Sequence, residues 1–258
     1  MSRQLVVLGS GTSFGVPVIG CRCAVCTSED PRDRRTRVAA VVEVGGTRLL
    51  IDTPPELRLQ LVREGIAEVD AVLYTHDHAD HVHGIDDLRA VTVRRGALPL
   101  YGPPDTIARL AERFRYIFDD AVLATPGSSK PEVTPMPLEA AQEVDIAGVR
   151  VVPVELDHGN MAVFGYRIGA LAYLTDVKRV PEDAYRQLAG VETLVINALF
   201  DRPHPAHLSI GEAVDVARRI GAARTLLTHL THRFAHADLA ARLPAGVEPA
   251  YDGLRVAF

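Results

Sequence analysis

The sequence predicts an α/β protein in which two mixed β-sheets pack face to face with helices on their outer faces, an αββα sandwich. Short apolar runs rich in Val, Ile and Leu dominate the chain, bounded by Gly, Pro or charge, which is the pattern of buried strands. The runs cluster before residue 102 and again after residue 148, each group accompanied by stretches of helical spacing. Several runs end in Thr followed by His or Asp. Layered α/β folds carry their chemistry at such strand ends, where loops hold polar groups while the sheets stay rigid.

Taken in order, residues 4–8, 38–44, 48–52 and 71–75 read as strands of the first group, and 149–156, 171–175, 193–199 and 225–228 as strands of the second. Residues 55–65, 105–118 and 181–189 have helical spacing. The clearest helix begins at Ser209. Ser209-Ile210-Gly211-Glu212 has the form of a capping box, Ala213, Val214, Val216, Ala217 and Ile220 continue an apolar face, and Gly221 ends it. Thr125 to Pro131 reads as a loop between the two halves. No stretch has the length and polarity of a linker, so residues 1–258 are expected to form a single domain.

Composition is ordinary for a globular chain, with 47% hydrophobic and 24% charged residues. A formal net charge of -5 and the lack of a basic tract argue against a general affinity for nucleic acid. The apolar start, Leu5 to Leu8, is too short for a secretion signal or a membrane span. The expectation is a soluble, cytoplasmic protein with no membrane partner.

Thr75-His76-Asp77-His78-Ala79-Asp80-His81 follows the apolar run Ala71-Val72-Leu73-Tyr74 and holds three of the ten histidines. H-x-H-x-D-H suits zinc, manganese or iron, because imidazole and carboxylate are ligands for these borderline ions. A polar surface turn is the bland alternative, but comparable groups recur at other strand ends: Asp157-His158, Thr175-Asp176 and Thr228-His229. One strand-end histidine is more often a hydrogen-bonding residue than a ligand, whereas four such ends suggest a convergent site. Separately, Cys21, Cys23 and Cys26 are the only cysteines. An odd, tight cluster is a poor disulfide framework, and C-x-C-x-x-C is metal-ligand spacing that needs a fourth ligand from elsewhere. Gly9-Ser10-Gly11 lacks a full G-x-G-x-x-G and the Walker lysine, so it reads as a tight turn under the metal site and not as a nucleotide fingerprint. Asp52, at the end of Leu49-Leu50-Ile51, is a candidate to orient a ligand histidine.

These motifs, with Tyr101-Gly102-Pro103-Pro104, His207-Leu208-Ser209 and Leu227-Thr228-His229-Leu230-Thr231-His232, resemble the metallo-β-lactamase superfamily over nearly the whole chain. Within it, the cysteine cluster and His232 make the chain most similar to the PhnP-type cyclic phosphodiesterases, relatives of the RNase Z enzymes. The resemblance implies two catalytic divalent metals, zinc or manganese. His76, His78 and His158 would hold one, and Asp80, His81 and His229 the other, with Asp176 bridging. It implies a structural zinc on Cys21, Cys23, Cys26 and His232, and His207 as the proton donor beside Asp80 in the catalytic machinery. A water activated between two metals about 3.5–4 Å apart would attack phosphorus. The leaving alkoxide, a strong base, would take its proton from His207. The expected substrate is a small, cyclic, phosphoribosyl-type phosphodiester, and a homodimer is a further expectation of the resemblance. Competing readings are an RNase Z-like RNA 3′-processing nuclease, a glyoxalase II-like thioester hydrolase, a true β-lactamase and a non-enzymatic metal-binding module. The negative charge and the lack of a basic arm speak against the nuclease, and His207-Leu208-Ser209 is unexplained by the thioesterase.

Overall fold

The computed structural model describes residues 2–258. Strands β1 (Arg3–Gly9), β2 (Ala39–Val44) and β3 (Thr47–Ile51) form an antiparallel meander. Helix α1 (Leu57–Glu64) crosses to β4 (Ala71–Leu73), which lies parallel to β3. After α2 (Ala79–Val82) and α3 (Arg89–Arg95) comes β5 (Leu98–Gly102), and after α4 (Pro104–Arg113) and α5 (Arg115–Phe118) comes β6 (Val133–Pro137). The second sheet begins with β7 (Val144–Ile146), β8 (Val149–His158), β9 (Met161–Ile168) and β10 (Leu171–Leu174), each antiparallel to the one before it. Helix α6 (Glu182–Gln187), β11 (Thr193–Asn197), α7 (Ile210–Ile220), β12 (Arg224–Thr228), α8 (His236–Ala240) and β13 (Val247–Pro249) extend it in parallel, and β14 (Arg255–Ala257) returns to pair with β1. The sheets have the orders β14-β1-β2-β3-β4-β5-β6 and β13-β12-β11-β10-β9-β8-β7.

Both faces of each sheet are covered, which is why the strands read as continuous apolar runs and not as alternation. Leu5 and Val7 of β1 point between the sheets and pack with Val151, Tyr166, Tyr173 and Leu226 of the second sheet. Val6 and Leu8 face the other way, onto Leu57 and Leu61 of α1 and Leu110 of α4. The outer face of the second sheet packs on Ala184 of α6, Ala213 and Ala217 of α7 and Leu239 of α8. The four layers agree with the predicted sandwich.

The division into two sequential halves does not hold. β6 follows the 125–131 loop yet completes the first sheet, and β14 closes its other edge. The 105–118 helix is broken at Phe114, whose φ of −113° and ψ of 43° interrupt the backbone between α4 and α5. Gly9 and Gly11 do not make a tight turn: Gly9 ends β1, and Gly11 forms bridges with Arg37 and Leu230. They admit a neighbouring chain: a Cβ on Gly9 would lie 1.9 Å from the Arg37 carbonyl oxygen, and one on Gly11 2.5 Å from that of Arg35. The capping box at Ser209 is present, with Glu212 N–H donating to Ser209 Oγ and Ser209 N–H to Glu212 Oε2.

Candidate metal centre

The site is assembled from the ends of strands. Thr75 and His76 follow β4, and α2 then presents Asp80 and His81. His158 is the last residue of β8, Asp176 follows β10, and His229 follows β12. His207 comes from the loop before α7. Asp52, Asp176 and His229 all have left-handed backbone, with φ of 61°, 57° and 57°. For non-glycine residues this costs on the order of 1–3 kcal/mol and clusters at functional sites.

These side chains form overlapping groups whose ligand atoms lie within 4.8 Å of one another: His76, His78 and His158; His76, His81 and Asp176; Asp80, His81 and His229; and His158, Asp176 and His207. Asp176 belongs to two of them, so its carboxylate stands between the first histidine set and the Asp80 set. Its Oδ2 is 3.2 Å from His81 Nε2, and its Oδ1 is 3.3 Å from His229 Nε2 and 3.6 Å from His207 Nδ1. Asp80 Oδ2 lies 3.4 Å from His81 Nε2 and 3.9 Å from His229 Nε2.

The far nitrogens of His76, His81 and His158 are held by the protein. His158 Nδ1–H donates to the Ala206 carbonyl at 2.7 Å, His81 Nδ1 pairs with Asp52 Oδ2 at 2.8 Å, and His76 Nδ1 lies 3.0 Å from the Thr75 hydroxyl. Asp52 also accepts from the Thr75 N–H and hydroxyl, both at 2.8 Å. Such contacts fix each ring and leave Nε2 free as a ligand. His76 Nε2, His81 Nε2 and His229 Nε2 are buried without a hydrogen-bond partner. A buried polar atom left unpaired costs about 1–3 kcal/mol, so the donor set fits divalent cations better than a self-contained polar core.

The electrostatics are strongly coupled. Burial opposes charge on His81, but Asp176, Asp80 and Asp52 outweigh it and hold its pKa well above the ordinary imidazole value. Burial and then His81 push His76 well below it. Burial likewise works against ionisation of Asp176 and Asp80, yet the surrounding histidines keep both carboxyls below the usual range.

The cysteine cluster forms a second group. Cys21, Cys23 and Cys26 Sγ lie 3.4, 3.5 and 3.3 Å from His232 Nδ1, and no disulfide links them. With Zn–S of about 2.3 Å and Zn–N of about 2.0–2.1 Å, a tetrahedral ion has an N···S edge of about 3.6 Å, close to these separations. The backbone N–H of Cys26 is the largest influence on Cys23 and draws its thiol down to about 6, while burial pushes Cys26 up to about 11.

Sequence reasoning missed several supporting residues. Asp77, inside the histidine motif, is clamped by Arg109 Nη1 at 3.1 Å and Arg113 Nη2 at 3.0 Å, while Arg113 Nη1 donates to its carbonyl at 2.6 Å. The two arginines stand four apart on α4, one helical face, which is the signal that could have found them. Arg35, fully buried, pairs with Asp33 at 3.1 Å and donates to the Thr231 and Phe234 carbonyls, tying the N-terminal loop to the segment that carries His229 and His232. Of the remaining histidines, His83 is exposed and packs edge-on against Phe114, His236 is buried beside Tyr251, and the His204 ring lies 5.2 Å from that of His207.

The family model of the β-lactamase superfamily domain matches residues 47–230, which span the histidine motif, His158, Asp176, His207 and His229. The chain belongs to the metallo-β-lactamase superfamily. The fold implies divalent metal ions, and this chain is a metal-dependent hydrolase of that fold. A solved diphosphatase of the PhnP family is 40% identical, with a TM-score of 0.92, and the match covers 100% of this chain and 98% of that one. Ribonuclease Z of Methanopyrus kandleri is 30% identical over 90% of this chain and 88% of its own length. An octanoyltransferase of Porphyromonas gingivalis is 38% identical over 97% of this chain, which spans about half (51%) of that relative. Zinc-bound PqqB of Methylobacterium extorquens shares the fold, at 21% identity and a TM-score of 0.79, covering 98% and 99% of the two chains. Among the described residues no helix is long and apolar enough to cross a membrane.

Proposed function

We propose that this metallo-β-lactamase-superfamily hydrolase cleaves a phosphodiester bond in a small molecule, with a cyclic phosphodiester of the phosphoribosyl type as the expected class. The observation that carries the reading is His207. Its ring is stacked on His229 with centroids 4.8 Å apart, lies 4.7 Å from that of His158, and has a buried Nδ1 without a partner. In a metal-dependent hydrolase the two ligand sets serve cleavage of any ester; an imidazole beside them that neither set uses suits a bond whose leaving group needs a proton.

His76, His78 and His158, and Asp80, His81 and His229, with Asp176 between the two sets, would hold divalent ions, zinc or manganese, which would supply an activated water and neutralise charge on the phosphate. Asp80, kept ionised by its histidine neighbours, orients the attacking water. Asp52 and the Ala206 carbonyl hold His81 and His158 in their tautomers. His207 passes a proton to the leaving oxygen, an effect worth ~10²–10⁴-fold. Burial, followed by the His229 ring, presses its pKa down to about 3 in the free protein. A bound phosphodiester anion acts in the opposite direction and favours the protonated ring. Cys21, Cys23, Cys26 and His232 would hold a structural zinc that would staple the N-terminal loop beside this site.

A second reading has its own support, since the 40% identical relative is a diphosphatase. A phosphate leaving group needs a proton far less than an alkoxide does. The test is therefore His207→Ala on a cyclic alkyl phosphodiester and on bis-p-nitrophenyl phosphate, whose phenolate leaves unaided. We expect a loss of ~10²-fold or more on the first and under about 10-fold on the second, at unchanged metal content. Equal losses on both contradict the acid role. Wild-type turnover of diphosphates alone favours the second reading, and cleavage of precursor tRNA in preference to small diesters favours the nuclease.

A further inference from the structure

Strand β11 supplies none of the candidate ligands, yet its end lies among the strand ends that do. It runs parallel to β10 on one side and to β12 on the other, with Ile196 paired to Leu174 and Asn197 to Thr228. Asp176 follows β10 and His229 follows β12, so the end of β11 stands between them. The strand is buried throughout, and its apolar run Leu194-Val195-Ile196 closes on an amide, Asn197, that is 0% exposed. Burying an amide is unfavourable unless it is hydrogen-bonded. Among the described residues Asn197 Nδ2 has no partner, so the work of this side chain falls to its oxygen.

That oxygen accepts from the Val177 N–H at 2.6 Å, in the protein interior. Val177 comes directly after Asp176, whose φ of 57° lies in the left-handed region. A non-glycine residue keeps such a backbone only where its surroundings over-determine it. Several contacts do so here. The Thr175 hydroxyl donates to Asp176 Oδ2 at 2.6 Å, the Val177 carbonyl accepts from the Leu208 N–H at 2.8 Å, and the Lys178 N–H donates to the Asp157 carbonyl at 2.7 Å. The turn at Asp176 is thus tied to the segments that carry His207 and His158. The Ala198 N–H, next to Asn197, donates to the Thr228 carbonyl at 2.9 Å and ties in the segment of His229. Of the bonds that hold the backbone at Val177, the one from Asn197 comes from a side chain, and it acts on the peptide group that joins Asp176 to Val177.

We propose that Asn197 is a positioning residue for the metal centre, which holds the Asp176 carboxylate between the two ligand sets through the Asp176–Val177 peptide. An Asp176 oxygen lies within 4.8 Å of the ligand nitrogens of His76 and His81 and of that of His158, and Oδ1 is 3.3 Å from His229 Nε2, so one carboxylate faces members of both sets. The left-handed turn gives it that aim, and the Asn197 oxygen keeps the turn. Without this bond the peptide is free to rotate toward ordinary backbone, and the carboxylate would serve one set instead of both. The loss then falls on the pairing of two ions and not on the fold. The proposal rests on Asp176 standing between two ions and is independent of the substrate.

The test uses the full chain, depleted of metal and titrated with Mn²⁺, an ion suited to carboxylate ligands over thiolates, so that it reports on this centre and not on the cysteine cluster. Stepwise affinities are measured together with the electron paramagnetic resonance spectrum, which separates an exchange-coupled Mn²⁺ pair from isolated ions. The wild type should show the coupled pair. Asn197→Leu, similar in size but without the acceptor, should weaken the second step by about 10-fold or more, change the first by a few-fold at most, and replace the coupled signal by that of isolated ions. Asn197→Asp, which keeps an acceptor oxygen, should retain the pair. If Asn197→Leu gives no cooperative thermal unfolding, Asn197→Ser, whose hydroxyl is one atom short of the Val177 N–H, is read in its place. A coupled pair and a second-step affinity unchanged by loss of the acceptor overturn the proposal. So do equal losses at both steps with a lowered melting temperature, the pattern of a structural role alone, and loss of the pair in Asn197→Asp. No coupled pair in the wild type means that Asp176 does not stand between two ions, and the proposal falls with that reading.

Discussion

The two metal-ligand clusters are built in opposite ways. The histidine and aspartate cluster draws on the ends of β4, β8, β10 and β12, each anchored in a sheet buried on both faces. The cysteine cluster sits in a loop between β1 and β2 that has one short 3-10 helix and a small apolar group of its own, Val16, Val25 and Cys26. In the first, the fold holds the ligands; in the second, four ligands substitute for a core. Chemistry needs the first arrangement, since reacting groups must keep their places, whereas the second would draw folding energy from a bound metal. The clusters meet in the segment 229–232, where one loop supplies His229 to the first and His232 to the second.

This contrast can be broken by mutation, and the effects should fall in a definite order. His158→Ala, which removes a ligand of the catalytic set, should cost more turnover than any loss of a proton donor while shifting the melting temperature little. Metal analysis paired with thermal unfolding checks this. A large drop in stability without loss of metal would place His158 in the core and not in the site. His207→Ala comes next, at ~10²–10⁴-fold in kcat on an alkyl diester with metals retained. Asp52→Asn removes the carboxylate behind His81, and a 10–100-fold loss in metal affinity or activity is expected, read by metal titration. Cys23→Ser reverses the pattern: one zinc per chain is lost, the 12–36 loop becomes open to limited proteolysis, and turnover falls only as far as His229 is disturbed. Unchanged zinc content in that variant would remove the structural site. Arg113→Met, which leaves Arg109 on Asp77, should have the smallest effect, a few-fold in kcat.

Much of this was legible in the residues. The αββα layering followed from apolar runs with no alternation, and the metal motif from imidazoles placed at strand ends. What stayed hidden has physical reasons. β6, Val-Thr-Pro-Met-Pro, carries two prolines that argue against a strand, yet it lies at a sheet edge, where a missing N–H is tolerated. β14 is three residues at the end of the chain and is a strand only because β1 pairs with it from 250 positions away. The glycines at 9 and 11 answer to the backbone of residues 35–37, a contact that spacing cannot reveal. In the site, the candidate ligands were visible by type and position. Their supports were not, because the Ala206 carbonyl behind His158 and the buried Arg35 act through tertiary contacts alone.

The most direct measurement of the central claim is hydrolysis of a cyclic phosphodiester by metal-quantified protein in H₂¹⁸O. Attack of water on phosphorus predicts a single monoester product that carries one ¹⁸O on its phosphoryl group, with turnover lost on chelation and restored by Zn²⁺ or Mn²⁺. No turnover of any diester by fully metallated protein that still cleaves a thioester would contradict it, as would a monoester product without the label.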